Sequence, residues 1–505
     1  MNISSEMKKT LVFVAVAFVL AAGAVYTRAP VRYKPTGDFG LQGEKFFPEF
    51  KDPLECTSLE VVGLDPDTSS PLAFKVMLKD GKWVIPSHYN YPADAKERLA
   101  KTASGIVDLA RDVLVSDRTA DYDSLGVSDP TDMKSYNAKG TGKRVTLRDK
   151  TDRILADFII GDEVVDRAGM RYVRVPGEKM TYAVKADVDL STRFSDWIET
   201  NLLKLDSAKI RRVTFVNHKV DPERRTITRG ETLTIERSDA NAPWKLDKLA
   251  DGQELNSDTI NSLVGALSDL KISGVRPKPE ALTRDLKSGE GISLDPATRV
   301  SLSEKGFYLL KDQLLSNQGD VIVECEDGAQ YTLRFGEVSF ARGEALSSGK
   351  EAKDQKKSDD PKSKNEGAIE SRYLFATIAF FPELLPPPAD KSGDTVSLPD
   401  EPFLLAQGDP KRVADEKRID DERKKKADEK KKRIDEAKKG IEERSDRFAP
   451  WYYLVPGDAF RNIVLDRSAL TKPKEKLSPT GATGGPEVGL PPGINPVPDA
   501  LLNPK

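Results

Sequence analysis

The sequence predicts an α+β protein made of two tandem duplicated modules, each a mainly antiparallel sheet with one amphipathic helix. Three observations lead to this prediction. Short alternating or apolar runs bounded by turn residues are typical of strands. Two stretches have apolar residues at helical spacing, and the same order of elements occurs twice along the 505 residues. Two copies of about 150 residues indicate a domain duplication rather than a solenoid.

The first copy is expected at 54–204. Its strands are predicted at 58–64, at 73–78, around Trp83, at 145–152 and at 154–164. A helix between them has an apolar stripe formed by Ala103, Ile106, Val107, Ala110 and Val113. This spacing predicts that one helix face packs on the sheet.

The second copy is expected at 205–471. Strands at 209–216 and 232–237, a tryptophan at 244, and strands at 321–328 and 329–340 follow in the same order. The matching helix stripe consists of Ile260, Leu263, Val264, Leu267 and Leu270. Gly161 and Gly336 fall at the same place in the two copies.

A tetrapeptide of the type Val-Pro-Gly-acid occurs once in each copy. It stands at 175–178, after the run RYVRV, and at 455–458, after WYYLV. Pro fixes φ near −65° and Gly accepts positive φ, so each site is predicted to be a hairpin turn joining two strands. The second turn would join WYYLV to FRNIVL.

The second copy is longer because of polar insertions. Residues 341–370 are predicted to be a disordered loop, and 371–381 a strand. Residues 410–447 alternate acids and bases and predict a long charged helix. Ala427, Ile434 and Ile441 are seven apart, as in a coiled coil, but charged residues between them favour a solvated or partner-docking helix. The Pro/Gly-rich tail, 472–505, is predicted to be disordered.

The N-terminus predicts export. Residues 1–9 would be cytoplasmic, and 10–26 form an apolar run about 25 Å long as a helix, enough to span a bilayer. It is either a transmembrane anchor or a signal segment cut after Ala24. Residues 27–53 would be a linker.

Composition and motifs indicate no catalytic, cofactor-binding or metal site. A net charge of −3 gives no reason to expect nucleic acid. The two cysteines, Cys56 and Cys325, favour buried thiols over a disulfide, and the two histidines, His88 and His218, have no third metal ligand. The run KGTGKRVT at 139–146 lacks two residues of a phosphate loop and is interpreted as a turn. Trp83 and Trp244 are interpreted as core packing.

These patterns together resemble the bacterial domain-of-unknown-function 4340 (DUF4340) family. The features that carry the likeness are the membrane segment, the Trp strands, the amphipathic helices, the Gly-acid hairpins and the Tyr-x-Val-Pro-Gly runs, over about 54–340 and 450–471. The resemblance implies a membrane-anchored extracytoplasmic protein, often encoded beside ABC-type transporter or gliding-motility-like components. It brings no catalytic residues.

The expected function is therefore that of a non-enzymatic accessory or scaffold subunit of an envelope or ABC-type transporter complex. Its partners would be the membrane, through the N-terminal helix, and a protein of that complex. The expected location is the inner membrane, single-pass, with the bulk of the chain periplasmic. The alternatives are a structural envelope protein without a transporter partner and a carboxylate-based envelope hydrolase.

Overall fold

The fold is given by a computed structural model. It describes residues 41–64, 71–132, 139–221, 224, 226–289, 291–292, 295–310, 313–349, 368–386 and 410–474. The expected membrane segment at 10–26 lies outside these ranges, as do most of the expected loop and tail. Among the described helices, none has the length and apolar character needed to cross a membrane.

The first module is a nine-stranded antiparallel sheet. Its strands are β1 (Ser58–Leu64), β2 (Pro71–Lys79), β3 (Lys82–Ile85), β4 (Tyr91–Pro92), β5 (Val113–Ser116), β6 (Lys143–Arg148), β7 (Ile154–Glu163), β8 (Met170–Arg174) and β9 (Thr181–Lys185). They lie in the order β4-β3-β2-β1-β6-β7-β8-β9-β5. Helix α1 (Lys96–Val107) covers one face, and a short helix α2 (Tyr122–Leu125) follows β5.

Helix α1 ends earlier than the apolar stripe predicted. Its buried face includes Leu99, Ala103 and Ile106, but Val113 begins β5. The run Val-Leu-Val at this point pairs with β9 instead of continuing the helix, because Val favours a pleated surface. Tertiary pairing therefore decides this boundary.

The second module is an eight-stranded antiparallel sheet, accompanied by more helices than the first and by two small strand pairs. Its sheet strands are β10 (Ile210–Asp221), β11 (Thr226–Glu236), β12 (Lys245–Leu246), β14 (Gly274–Pro277), β17 (Asp320–Cys325), β18 (Ala329–Ala341), β19 (Ile369–Phe380) and β20 (Trp451–Pro456). Two small pairs join β13 (Gln253–Leu255) to β21 (Thr471–Pro473) and β15 (Phe307–Leu310) to β16 (Gln313–Ser316). The helices are α3 (Ser257–Ser268), α4 (Glu280–Ser288), α5 (Pro296–Ser303), α6 (Gly343–Ser347), α7 (Pro410–Phe448), α8 (Gly457–Ile463) and α9 (Arg467–Leu470).

The two sheets have the same strand order. The second runs β12-β11-β10-β17-β18-β19-β20-β14, and the first runs β3-β2-β1-β6-β7-β8-β9-β5 with β4 added at its edge. Each helix, α1 or α3, follows the fourth strand of its module, β4 or β13. The mainly antiparallel α+β architecture predicted from the sequence is confirmed.

A shared hydrogen bond accompanies this shared order. Arg171 on β8 donates to the carbonyl of Gly161 on β7. Arg372 on β19 donates to the carbonyl of Gly336 on β18. Both glycines lie at a register shift between their strands, where a β-bulge loosens the ladder. The guanidinium therefore satisfies, in each module, a carbonyl at this irregular point of the ladder.

The repeated Val-Pro-Gly tetrapeptide does not occupy the same place in the two modules. The first is a hairpin turn between β8 and β9, with Gly177 at φ +88° and Glu178 N–H donating to Val175 O. The second ends β20 and begins helix α8, so the prediction of a second hairpin is wrong. Pro before a first turn that contains Asp458 favours helix initiation. By position in the sheet, β20 matches β9 rather than β8.

Parts of the expected linker, loop and tail are ordered. Phe46 and Phe50 are buried in the core of the first module. Helix α6 lies within the expected loop at 341–370, with Leu346 buried. Strand β21 starts at Thr471 and pairs with β13. One continuous apolar core extends through both modules.

Candidate functional site

Helix α7 is the most distinctive feature, because it connects two adjacent strands, β19 and β20, through a long excursion. We call residues 417–432 the arm and residues 433–448 the root. Every described side chain of the arm is exposed. At 1.5 Å per residue the arm is about 24 Å long. The structure thus leaves the described side chains of the arm open to solvent.

Apolar contacts hold the root on the sheet. Ile441 and Phe448 are buried, each with only 2% of its surface exposed. The Phe448 ring lies 6.3 Å from the ring of Tyr453 at 88° and 6.4 Å from that of Tyr331. These edge and tilted contacts are favourable for aromatic pairs.

Polar contacts of Arg444 add to this anchoring. Its guanidinium donates to the Tyr331 hydroxyl at 2.6 Å and lies 3.7 Å from the Asp327 carboxylate. Burial raises the pKa of Tyr331 to about 12, although Arg444 opposes the shift. The hydroxyl therefore stays protonated and accepts this hydrogen bond.

A buried lysine closes the C-terminal end of α7. Lys278 Nζ donates to the carbonyl of Phe448 at 3.1 Å and lies 3.9 Å from the centre of the Phe375 ring. A cation at a helix C-terminus is favoured by the helix dipole, and the aromatic ring favours it further. Burial, with a smaller effect from Arg334, lowers the pKa of Lys278 well below its usual 10.5.

The amine of Lys278 has the lowered pKa of a nucleophile, but its side chain is not accessible from solvent. A desolvated lysine with a lowered pKa is a common nucleophile. Only 6% of Lys278 is exposed, and its Nζ is enclosed by Phe375, Tyr452 and the end of α7. Its contacts are those of a structural residue that fixes the end of the helix.

The root ends where the two modules meet. Tyr453 donates to the carbonyl of Arg447 at 3.1 Å, and Arg447 donates to the carbonyl of Asn201 in the connection between modules at 3.5 Å. Across the junction, Tyr91 of β4 lies 5.0 Å from Trp451 of β20, ring to ring. Burial raises the pKa of Tyr91 and of Tyr453. The end of α7 is thus fixed by groups from both modules.

A histidine adds a second contact between modules. His88 is hydrogen-bonded to Ser347 of α6 at 2.9 Å and stacks on Phe194 at 4.1 Å. His88 is thus a hydrogen-bonded residue of the fold. His218 is buried as well, near the carboxylate of Asp320.

Other buried cations also fasten covering segments to the sheets. Arg276 donates to three carbonyls in or beside α6, those of Ala345, Leu346 and Ser347. Arg174 donates to the carbonyl of Val127 at 3.0 Å. Each guanidinium thereby satisfies carbonyls of a segment that lies across its sheet, as buried polar groups require.

The residues singled out in the sequence do not form a common site. Cys56 and Cys325 are free and buried in different modules, and burial raises the pKa of each thiol to about 12. Trp83 and Trp244 are half-buried against the core, which confirms the packing interpretation. The run at 139–146 leads into strand β6, as a turn should. Within the described ranges, no group of three or more His, Cys, Asp or Glu could hold a metal.

Comparison with known proteins gives one match. Residues 83–288 match the family model described as "Domain of unknown function (DUF4340)". The chain resembles that family. The DUF4340 match covers about two fifths of the chain, from β3 through α4, and is narrower than the sequence resemblance suggested. It crosses the junction of the modules but stops before helix α7.

Neither of the other two comparisons gives a match. None of the curated proteins matches the chain, and no solved structure matches it. The arm, the root and the contact between Lys278 and Phe448 therefore have to be interpreted from their own geometry.

Proposed function

We propose that this protein is a non-enzymatic, membrane-anchored extracytoplasmic subunit that scaffolds an envelope complex, with an ABC-type transporter as the partner. The segment at 10–26 is its anchor, in the inner membrane, and both modules lie on the periplasmic side. The two modules arose by duplication of one unit. The shared strand order and the paired Arg–Gly hydrogen bonds support that origin.

The observation that carries the scaffolding role is the helix rooted at the junction. Packing does not stabilise a helix that is polar on all sides, so the arm depends on its root and on ion pairs along its length. Lys432–Glu436 at 3.9 Å is such a pair where the arm meets the root, and Lys438–Glu442 at 3.8 Å is another within the root. A rigid, exposed helix anchored by both modules suits a docking role.

Affinity purification from native membranes tests this proposal. The full chain and a variant in which a short Gly-Ser linker replaces 412–432 are solubilised in mild detergent, and bound proteins are identified by mass spectrometry. We expect the full chain to retain a transporter permease or sister subunit that the variant loses. Recovery of the full chain alone, repeatedly, would contradict the proposal and favour a structural envelope protein.

A further inference from the structure

The first module begins in the same way as the connection that leads into the second module. Lys45 forms an antiparallel bridge with Ala110, and Asn201 in the connection forms one with Lys271. The residue after each bridge donates a further backbone hydrogen bond, at 3.0 Å in the first module and 2.8 Å in the second. The chain therefore enters the first module at the position through which the first module is joined to the second.

A capped turn follows the bridge in both segments. The carboxylate of Asp52 accepts from the Leu54 N–H, and that of Asp206 accepts from the Ala208 N–H, both at 2.9 Å. Each turn leads into the first strand of its module, β1 or β10. The two segments are thus equivalent, so their surroundings can be compared position by position.

Beside this connection, the second module is covered by the first. The Trp451 ring lies 5.0 Å from the Tyr91 ring at 64°, and only 8% of Trp451 is exposed. Ser347 is hydrogen-bonded to His88 at 2.9 Å. We call Trp451, Ser347 and the edge strand β14 the receiving face of the second module. It binds the aromatic segment 88–91 of the first module.

The strand register identifies the matching face of the first module. The two arginines that bond the bulge glycines are equivalent, and the strands paired from them place Met180 where Trp451 lies and β5 where β14 lies. We call Met180 and residues 113–115 the entry face. All four of its side chains are apolar and half-buried, whereas Trp451 is buried. The entry face is thus an apolar surface that the described part of the chain covers only in part.

A second copy of this chain does not offer an aromatic segment for the entry face. Its His88 and Tyr91 are already engaged with its own second module. In the second module the equivalent residues, five and eight positions after the tryptophan, are Leu249 and Gly252. Neither is aromatic, so the segment that fits the entry face belongs to another protein.

The entry face lies where the chain arrives from its proposed anchor. Lys45 pairs with Ala110 only three residues before β5 begins. Residues 27–40 connect this point to the segment at 10–26, and they reach at most about 50 Å when fully extended. A protein that covers the entry face is therefore one held at the same membrane.

We propose that the entry face is the docking surface for an aromatic loop of a second membrane-anchored protein. That loop takes the place on the first module that segment 88–91 takes on the second. Met180 suits this contact, because a flexible thioether packs favourably against aromatic rings. The inference rests on the proposed function, and it adds a docking surface separate from the arm.

Photo-crosslinking in native membranes tests the inference with the full chain. A photoreactive amino acid replaces Asp112, which is exposed beside β5, or Leu249, which holds the place of His88 in the second module. We expect position 112 to give a discrete product with another inner-membrane protein, joined through an extracytoplasmic segment that contains aromatic residues. We expect no such product from position 249.

Other products from position 112 identify other occupants. A crosslink to residues 27–40 of the same chain would make this chain the occupant, and a product of twice the chain's mass would make it a second copy. Either result would overturn the inference. Absence of any product from position 112, or equal products from positions 112 and 249, would overturn it as well.

Side-chain variants assign the contact to the entry face. Met180→Ala should lower the yield of the product from position 112 by about tenfold, because an apolar side chain at the centre of an interface is removed. Met180→Leu keeps the apolar volume and should retain most of the yield, and Leu249→Ala should leave the yield unchanged. Thermal melts establish that each variant is folded. Equal yields from Met180→Ala and Leu249→Ala would overturn the inference.

The affinity purification described above separates this inference from the proposed function. A transporter partner retained by the full chain, with no product from position 112, would overturn the inference while the proposed function stands. Absence of any partner for the full chain would count against the proposed function itself.

Discussion

Replacing Gly336 by alanine tests the close packing of a covering segment on the glycine at the β-bulge, a feature found in both modules. A Cβ at this position would lie within van der Waals distance of the Lys305 carbonyl and 2.9 Å from the Phe307 ring. That carbonyl also accepts a hydrogen bond from Glu337 N–H at 2.9 Å. The covering segment cannot move aside without losing this bond. Overpacking costs about 1–3 kcal/mol and the weakened hydrogen bond about 1 kcal/mol.

We therefore expect Gly336→Ala to lower the free energy of unfolding of the second module by about 3 kcal/mol, which lowers Tm by about 6–12 °C. The assay is urea unfolding followed by tryptophan fluorescence, with a thermal melt beside it. Gly265→Ala on helix α3 is the control, because its Cβ meets nothing within 4 Å. Alanine there should stabilise the helix by about 0.8 kcal/mol. The reasoning is refuted if the two variants have the same stability.

Three further predictions concern the root and the buried groups. Burial lowers the pKa of Lys278, so between the folded pKa and 10.5 the unfolded chain binds more protons than the folded chain does. The free energy of unfolding of the wild type should therefore rise with pH in that window by up to about 1.4 kcal/mol per pH unit. Lys278→Met should lack this slope in urea unfolding at pH 7, 8 and 9. Phe448→Ala should destabilise the protein by about 3–5 kcal/mol and free the root, seen as faster proteolysis of α7. Cys56 and Cys325, with pKa values raised to about 12, should resist iodoacetamide at pH 8 until urea unfolds the chain.

Each of these predictions has its own control. The lysine experiment is contradicted if wild type and Lys278→Met change in parallel with pH. Ile434→Ala removes a half-buried side chain of the same helix and should cost much less than Phe448→Ala. Fast labelling of either thiol in the native protein would contradict its burial.

The sequence predicted most strands and the amphipathic helices, because alternation and helical spacing are patterns among residues close together in the chain. The Trp strands and the stripe of α3 are examples. The Val-Pro-Gly comparison failed because four residues specify a bend but not whether a strand or a helix comes after it. The Arg-Tyr pairs at 171–172 and 372–373 were the better signal, since each arginine occupies the equivalent place on β8 and β19.

The candidate site was predictable only in part. The charged residues among Ala427, Ile434 and Ile441 favoured a solvated or partner-docking helix, whereas the structure buries Ile441. The role of Lys278 was not predictable, because its partner carbonyl lies 170 residues away along the chain. A lysine in an ordinary strand-end position has no local signature of burial. Only the tertiary structure brings it to the end of α7.

Photo-crosslinking from the arm tests most directly the claim that this helix docks a partner. A photoreactive amino acid is placed at Lys430, at Lys432 or at the exposed Val165 of the first module, and crosslinks are formed in native membranes. The account predicts a discrete product from the arm positions, to another envelope protein, and a weaker one from 165. A strong product from position 165, with none from either arm position, would contradict it.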